Sequence, residues 1–411
     1  MRWLLDFAFY YPLIMSIFWM CGSLIYFFRR ERGKPTRVNP PPLKEYPFVS
    51  LIVPCHNEGE QVRETLMQLN AQIYPDFEII AVNDGSRDDT GARLEALQEE
   101  MPRLRVIHLA SNQGKAMGLR MAAVAARGEF LVCIDGDAML DEYATHWMMS
   151  HMMDGPRVGA VTGNPRIRNR STLLGKLQVG EFSSIIGLIK RAQRIYGSIF
   201  TVSGVIVCFR KSAVHDVGYW STDMVTEDID ISWRLQMRHW DIRYEPNALC
   251  WILMPETLRG LWKQRLRWAQ GGVEVILRYT GSLMNWRQRR KWLLALEYIL
   301  SVLWAYAMLT IFVLWLVGLF VTMPAGWYVQ TLLPQWNGVI LGTICLIQFF
   351  FSTQIDRRYE ARIGRNYYWM IWYPLAYWLL SMLTTITALP KALFKRKGTR
   401  AVWESPDRGV R

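Results

Sequence analysis

Four long apolar blocks, one at the N-terminus and three beyond residue 290, bracket a central stretch in which charged and apolar residues are mixed. A single water-soluble core cannot take in such blocks, so the chain must fold in two environments. Residues 4–28 carry one charge, Asp6, and reach the roughly 20 apolar residues that a bilayer crossing needs. No basic leader or small-residue cleavage site marks this block as a signal peptide. Further spans are predicted over 292–321, 339–353 and 367–389. Arg29, Arg30, Arg32 and Lys34 follow the first block, which by the positive-inside rule puts the residues after 29 in the cytoplasm and the N-terminus outside. The loop over 322–337 has no Lys or Arg and reads as external, whereas 356–365 is basic and reads as internal. Parity then sends the C-terminus outside, against the charge of Lys391, Lys395, Arg396, Lys397 and Arg400. Either the tail is external despite its charge or one block does not cross, and Pro374 makes the last block the suspect.

A net charge of +13 raises the question of nucleic acid. Position answers it. Besides the group after the first block, Arg287, Arg289, Arg290 and Lys291, and Arg357, Arg358, Arg362 and Arg365, border apolar blocks. Lys and Arg there set orientation and meet anionic headgroups. Membrane lipid, and no nucleic acid, is the expected partner of that charge. The six cysteines lack metal-ligand spacing and read as small buried hydrophobes in a reducing compartment.

Between the blocks, residues 35–47 are rich in Pro and polar groups and read as a linker leaving the membrane. The run at 48–54 is short and continuously apolar, as in a strand covered on both faces. A helix over 61–72, a strand over 77–83, a helix over 90–100, a strand over 104–109, a helix over 115–126 and a strand over 129–134 follow. Alternation of this kind predicts a Rossmann-like α/β fold with a mostly parallel sheet. Ligands of such sheets bind at the carboxyl ends of the strands. Pro54, His56, Asn57 and Glu58 lie at the first strand end, Asp84 at the second, and Asp135 and Asp137 at the fourth.

Asp135-Gly136-Asp137 puts two carboxylates around a glycine that lets backbone and ligand approach closely. Oxygen ligands of this kind suit Mg²⁺ or Mn²⁺, although a solvated turn has the same composition. Lys115 opens a helix after a glycine, where its cation and the helix N-terminus can both hold a diphosphate, or where it is an ordinary surface lysine. Glu227, Asp228 and Asp230 crowd a first helical turn. Acids there complement the helix dipole, and one held in reach of a hydroxyl can act as a general base. Over 256–277, Leu258, Leu261, Trp262 and Leu266 interleave with Arg259, Lys263, Arg265 and Arg267, the pattern of an amphipathic helix on a membrane surface. Its arginines can serve headgroups, or Gln264, Arg267 and Trp268 can face phosphates and an acceptor sugar.

In chain order, Asp84, then Asp135 with Asp137, then Thr226-Glu227-Asp228, then Gln264-x-x-Arg267-Trp268 resemble the pattern of the processive family-2 glycosyltransferases, the family of cellulose, chitin and hyaluronan synthases. The wider segments at 82–86, 133–137, 163–168, 200–204, 251–257 and 403–409 resemble the branch that makes β-1,6-linked N-acetylglucosamine exopolysaccharide. Some relatives begin with an additional apolar segment that this sequence does not have, which keeps an external N-terminus in place.

The resemblance implies a GT-A catalytic domain over 48–255, after a transmembrane helix at 1–28 and a linker at 29–47. Interfacial amphipathic helices (256–291), a transmembrane region of about three helices (292–389) and a basic tail (390–411) follow. It implies UDP-N-acetylglucosamine as donor, held by Pro54, Asn57, Glu58, Asp84, Lys115, Asp135, Gln264 and Arg267, with Asp84 near the uridine. Asp137 would carry Mg²⁺ or Mn²⁺, and Asp228 would be the catalytic base of an inverting transfer. Ser203, Gly204, Glu227 and Trp268 would meet the acceptor, the growing polysaccharide, which the spans pass outward through a bacterial inner membrane. A small two-span membrane subunit, with cyclic di-GMP at the shared interface, belongs to the same implication; no cyclic di-GMP-binding domain is visible in the sequence. Two alternatives stay open. One is a chitin- or hyaluronan-type synthase or a lipid-carrier transferase. The other is a transporter or receptor with an inactive nucleotide-sugar-binding domain, against which intact Asp137, Asp228 and Arg267 speak.

Overall fold

The continuous apolar run predicted as the first strand forms β1 (Val49–Cys55), buried at all seven positions. β2 (Phe77–Asp84), β3 (Leu104–Leu109) and β4 (Phe130–Ile134) follow, joined by helices Val62–Asn70, Thr90–Glu100 and Lys115–Ala125. The structure, a computed structural model, describes residues 2–324, 326–329, 336–396 and 398–401, without the side chains of 184, 185, 371, 372 and 374–376. The segment 403–409 that contributed to the resemblance, and the side chain of Pro374, lie outside the described residues. The chain divides into two units. One comprises Gly33–Gln178 and Ser198–Leu261 with the tail from Lys395; the other comprises Met1–Arg32, Val179–Gly197 and Trp262–Phe394.

The first unit is built on one sheet. β5 (Met139–Leu140), β6 (Val158–Ile167), β7 (Ile206–Arg210) and β8 (Asp241–Ile252) complete it in the order β3-β2-β1-β4-β7-β6-β8-β5. β1 pairs in parallel with β2 and β4, and β2 with β3, as the alternating pattern predicts. The expected mostly parallel sheet is nevertheless mixed: β7 runs antiparallel to both β4 and β6, and β5 antiparallel to β8. Helices Ala144–Met153, Leu188–Tyr196 and Glu227–Met237 precede β6, β7 and β8, so alternation of helix and strand continues past β4 without implying that β7 runs parallel to its neighbours. After β1 the chain moves outward to β3 and returns to β4 on the other side of β1. The carboxyl ends of the strands at such a reversal are where sheets of this kind bind ligands.

The segment expected as a linker is pinned along this unit. The Trp147 indole N–H donates to Arg37 O at 2.8 Å, Tyr74 donates to Pro47 O at 2.7 Å, and Arg37 pairs with Asp141 at 3.3 Å. The tail is held too: Lys395 Nζ donates to Asp223 O at 2.6 Å and the Ala401 N–H to Thr222 O at 2.9 Å.

The second unit is helical. Among the described residues, three of its helices, Arg2–Glu31, Trp286–Gly318 and Trp336–Asp356, are long and apolar enough to cross a membrane. The last predicted block forms a 3₁₀ stretch, Ile363–Trp372, and then the helix Tyr373–Leu393. Charge inside this unit is paired. Fully buried Arg191 lies 2.6 Å from Glu31 and 3.0 Å from Asp356, while Tyr359 donates to Glu31 at 2.7 Å and Ser183 to Asp356 at 2.6 Å. Removal from water is tolerable for these ions because each finds both an opposite charge and hydrogen bonds.

Candidate active site

The turn after β4 lies directly against the end of β1. A Cβ on Gly136 would stand 3.0 Å from Glu58 Cγ and 3.2 Å from Pro54 O, so a side chain there would crowd the end of β1 and force its neighbours to give by a few tenths of an ångström. Thr65 Oγ1 donates to Gly136 O at 3.0 Å and fixes the turn from below. Asp135 and Asp137 project from it and are partly exposed, whereas Glu58 is buried and its backbone N–H donates to Thr90 Oγ1 at 2.8 Å. Pro54 and Glu58 therefore form the floor of the Asp-Gly-Asp turn. Asn57, with φ of 56°, occupies the left-handed region that Asn tolerates. Its Oδ1 accepts the Arg87 N–H at 2.9 Å and its own N–H donates to Ser86 Oγ at 3.0 Å.

Asp84 works from beneath. Its carboxylate is fully buried and accepts the N–H groups of Gln113 at 2.7 Å and Gly114 at 2.8 Å. Gly114, with φ of 89°, turns the chain into the helix that Lys115 opens. His56 ties the same loop to β2: its Nε2 accepts from Asn112 Nδ2 at 3.0 Å, so Nδ1 carries the proton and donates to Asp84 O at 2.8 Å.

Lys115 reaches from that helix start into a nest of acids. Its Nζ lies 2.5 Å from Asp135 Oδ1 and 3.2 Å from Glu227 Oε1, and donates to Gly204 O at 3.2 Å. Asp228 is beside them: a Cβ on Gly204 would stand 3.1 Å from Asp228 Oδ2 and 3.3 Å from Lys115 Nζ. Burial acts to lower the Lys115 pKa, but Asp135, Glu227 and Asp228 outweigh it and hold it well above the ordinary value, so the cation persists at neutral pH. Glu227 and Asp228 open the helix Glu227–Met237, where the N-terminal dipole also favours their charge. The third acid, Asp230, turns away and pairs with Arg234 at 2.8 Å. Ser203 joins the wall through its N–H, which donates to Thr162 Oγ1 at 2.8 Å.

Lys115, Asp135, Gly204, Glu227 and Asp228 thus come together in one cluster. Gln264, Arg267 and Trp268 lie on the helix Leu258–Leu283, which extends beyond the predicted 256–277. They belong to the helical unit, where Arg267 is exposed and Gln264 and Trp268 are partly buried. Sequence reasoning misses Asn112, Gln113 and the tail: Arg400 donates to Gln113 Oε1, and Ala401 O packs on Gly114. The signal for the tail is its basic run, whose charge disagrees with an external location.

Three carboxylates around one ammonium leave an excess of negative charge. Among the described residues, no three His, Cys, Asp or Glu side chains form a ready metal cage. Mg²⁺-type sites completed by substrate phosphates need only one or two protein carboxylates, so the donor set at the Asp-Gly-Asp turn fits such an ion.

Comparisons with known proteins bear on the family and the fold. The sequence model described as "Glycosyltransferase like family 2" matches residues 47–271, more than half of the chain. The chain is 41% identical over 408 residues to the poly-β-1,6-N-acetyl-D-glucosamine synthase of Staphylococcus aureus (strain COL), covering 98% of each protein. It is 41% identical over 411 residues to the synthase of the same name from Staphylococcus epidermidis, again covering 98% of each. Among solved structures, a mannosyltransferase, PcManGT, from Pyrobaculum calidifontis in complex with GDP-Man and Mn²⁺ superposes with a TM-score of 0.61. It is 20% identical and covers 95% of this chain and 100% of its own, a likeness of fold. With the acids and the lysine gathered where a nucleotide-binding sheet opens, and relatives matching from end to end, the chain belongs to glycosyltransferase family 2.

Proposed function

We propose that this chain is an inverting, processive N-acetylglucosaminyltransferase that builds β-1,6-linked poly-N-acetylglucosamine, a biofilm exopolysaccharide, from UDP-N-acetylglucosamine and exports it across the membrane. The observation that carries the reading is the convergence of Lys115, Asp135, Glu227 and Asp228 beside Gly204. The printed names of the synthases matched over 98% of the chain supply the sugar and the linkage.

The donor diphosphate meets the helix N-terminus at Lys115, where backbone N–H groups and the ammonium both favour an anion. Asp84 shapes that loop from below rather than reaching past it, since both its oxygens are engaged. Asp135 and Asn57 border the nucleotide over the floor of Pro54 and Glu58. A divalent cation, Mg²⁺ or Mn²⁺, on Asp137 would supply charge opposite the departing UDP, as the Mn²⁺ bound by the mannosyltransferase of similar fold suggests. Asp228 accepts the proton of the acceptor's 6-hydroxyl while that oxygen attacks the anomeric carbon. The new C1–O6 bond forms as the bond from C1 to the UDP oxygen breaks, in line, and α becomes β. Glu227 keeps Lys115 aimed into the site, and Ser203 and Gly204 border the acceptor. By the motif resemblance, Gln264 and Arg267 serve the diphosphate, and Trp268 offers the acceptor sugar a stacking face.

The catalytic unit is cytoplasmic and the chain a multi-pass protein of the bacterial inner membrane in this reading. The tail's hydrogen bonds to Asp223 and Thr222 favour a cytoplasmic C-terminus, with the helix Tyr373–Leu393 not crossing. That choice removes the conflict between parity and charge. A small two-span subunit, with cyclic di-GMP at the shared interface, completes the proposal on the resemblance alone.

Asp228→Asn tests the chemistry. Purified variant should bind donor nearly as wild type yet lose polymer synthesis by roughly a hundredfold or more, the ordinary contribution of a general base. Substantial retained turnover would move the base to Glu227.

A further inference from the structure

Arg265 lies inside the Gln-x-x-Arg-Trp stretch but is neither its Gln, its second Arg nor its Trp. Its side chain is buried and its Nη2 donates to Glu181 Oε2 at 2.6 Å, a carboxylate that is buried as well. Its guanidinium carbon stands 4.3 Å from the ring centroid of Trp268, three residues along the same helix, and 5.9 Å from that of Tyr377. Trp268 also meets Phe182, the neighbour of Glu181, edge-on at 6.4 Å and 61°. Phe182 begins a π-helical stretch, Phe182–Gly187, an irregularity that occurs frequently at functional sites. Tyr377 stacks on Tyr373 at 4.6 Å and 14°, and its buried hydroxyl has no hydrogen-bond partner among the described residues. All of these groups belong to the helical unit.

A planar guanidinium anchored by a carboxylate is a rigid support, more so than a lysine's mobile point charge. The guanidinium lies over the Trp268 ring and Phe182 meets it at a steep angle, yet Trp268 stays partly exposed, so its indole is held on one side while part of it remains accessible to a sugar. The Tyr377 ring lies 5.9 Å from the same guanidinium carbon and adds a second aromatic contact to it. We propose that Arg265, locked by Glu181, is a positioning residue that sets the plane of Trp268 for the acceptor saccharide. This rests on the reading of Trp268 as the acceptor's stacking surface. Arg265 does not touch the donor in this account, so its loss raises the acceptor KM and spares the donor.

The test measures kcat and KM for UDP-N-acetylglucosamine and for a β-1,6-linked N-acetylglucosamine oligosaccharide in nanodiscs. Arg265→Met, Arg265→Lys, Glu181→Gln and Trp268→Ala are compared with the double variant Arg265→Met/Trp268→Ala. Misplacing a binding surface by a fraction of an ångström should raise the acceptor KM about tenfold in Arg265→Met and Glu181→Gln, with the donor KM within about twofold of wild type. Arg265→Lys should recover part of the loss. The double variant should be no worse than Trp268→Ala alone, because Arg265 acts through the indole. Additive losses, or equal loss of donor and acceptor parameters, would overturn the inference. If Trp268→Ala leaves the acceptor KM unchanged, the stacking role of Trp268 falls. If Trp268→Ala raises it and neither Arg265→Met nor Glu181→Gln does, only the positioning role falls. Should Arg265→Met fail to yield folded protein, Glu181→Gln, which preserves the side chain's shape, decides by the same criterion.

Discussion

At the scale of single residues, the acids of this site divide by what their oxygens already hold. Asp84 spends both oxygens on the N–H groups of Gln113 and Gly114, so in the proposed reading it would act on the donor only through the loop before Lys115. Asp84→Asn would present an amide N–H₂ to one of those donors and leave it unsatisfied in a buried place, at a cost of about 1–3 kcal/mol. The expected outcome is a donor KM raised roughly tenfold with kcat changed far less, measured by UDP release against donor concentration. An equal fall in kcat at unchanged KM would instead mark Asp84 as acting in the transition state. Asp137 has the complementary position, at the exposed end of the turn that Gly136 allows. Asp137→Ala should remove the response of activity to added Mg²⁺ or Mn²⁺. Full wild-type activity in excess chelator would discard the metal role altogether.

At the scale of elements, the sequence was legible where chemistry and periodicity coincide. β1 to β4 and the helix Thr90–Glu100 fall at or within a residue or two of their predicted bounds, because continuous apolar runs between polar turns have few other solutions. The positions of Asp84, Asp135 and Asp137 at or just past the ends of β2 and β4 were legible with them, whereas Glu227 and Asp228 open a helix and took their roles from the family resemblance. Three features were not legible. The antiparallel β7 is a five-residue run whose direction is set by its partners in the sheet rather than by its own residues. The support that Glu181 gives Arg265 joins residues 84 positions apart, which no local pattern encodes. The tail's place beside Thr222 and Asp223 depends on hydrogen bonds to their backbone carbonyls, which any sequence offers. That last element is open to direct measurement. In a cysteine-free background, Asn337→Cys should react with an impermeant maleimide from outside intact cells, while Glu360→Cys and Thr399→Cys should react only after permeabilisation. Labelling of Thr399→Cys from outside would show that the helix Tyr373–Leu393 crosses the membrane.

At the scale of the molecule, the chain folds as two units suited to different surroundings. A mixed sheet and its flanking helices gather a lysine and several carboxylates in one unit, and the other unit has, among the described residues, three helices long and apolar enough to cross a membrane. Buried charge in that unit, Arg191 with Glu31 and Asp356, is matched closely enough to be kept out of water. The account's central claim is that this chain polymerises N-acetylglucosamine through its 6-hydroxyl. Its most direct test is linkage analysis of the product formed when the purified chain, reconstituted in nanodiscs, is incubated with UDP-N-acetylglucosamine and Mg²⁺. The account predicts UDP release together with a polymer whose internal residues are N-acetylglucosamine substituted only at O6. A polymer linked through O4 or O3, or a single sugar transferred to a lipid and no further, would contradict it.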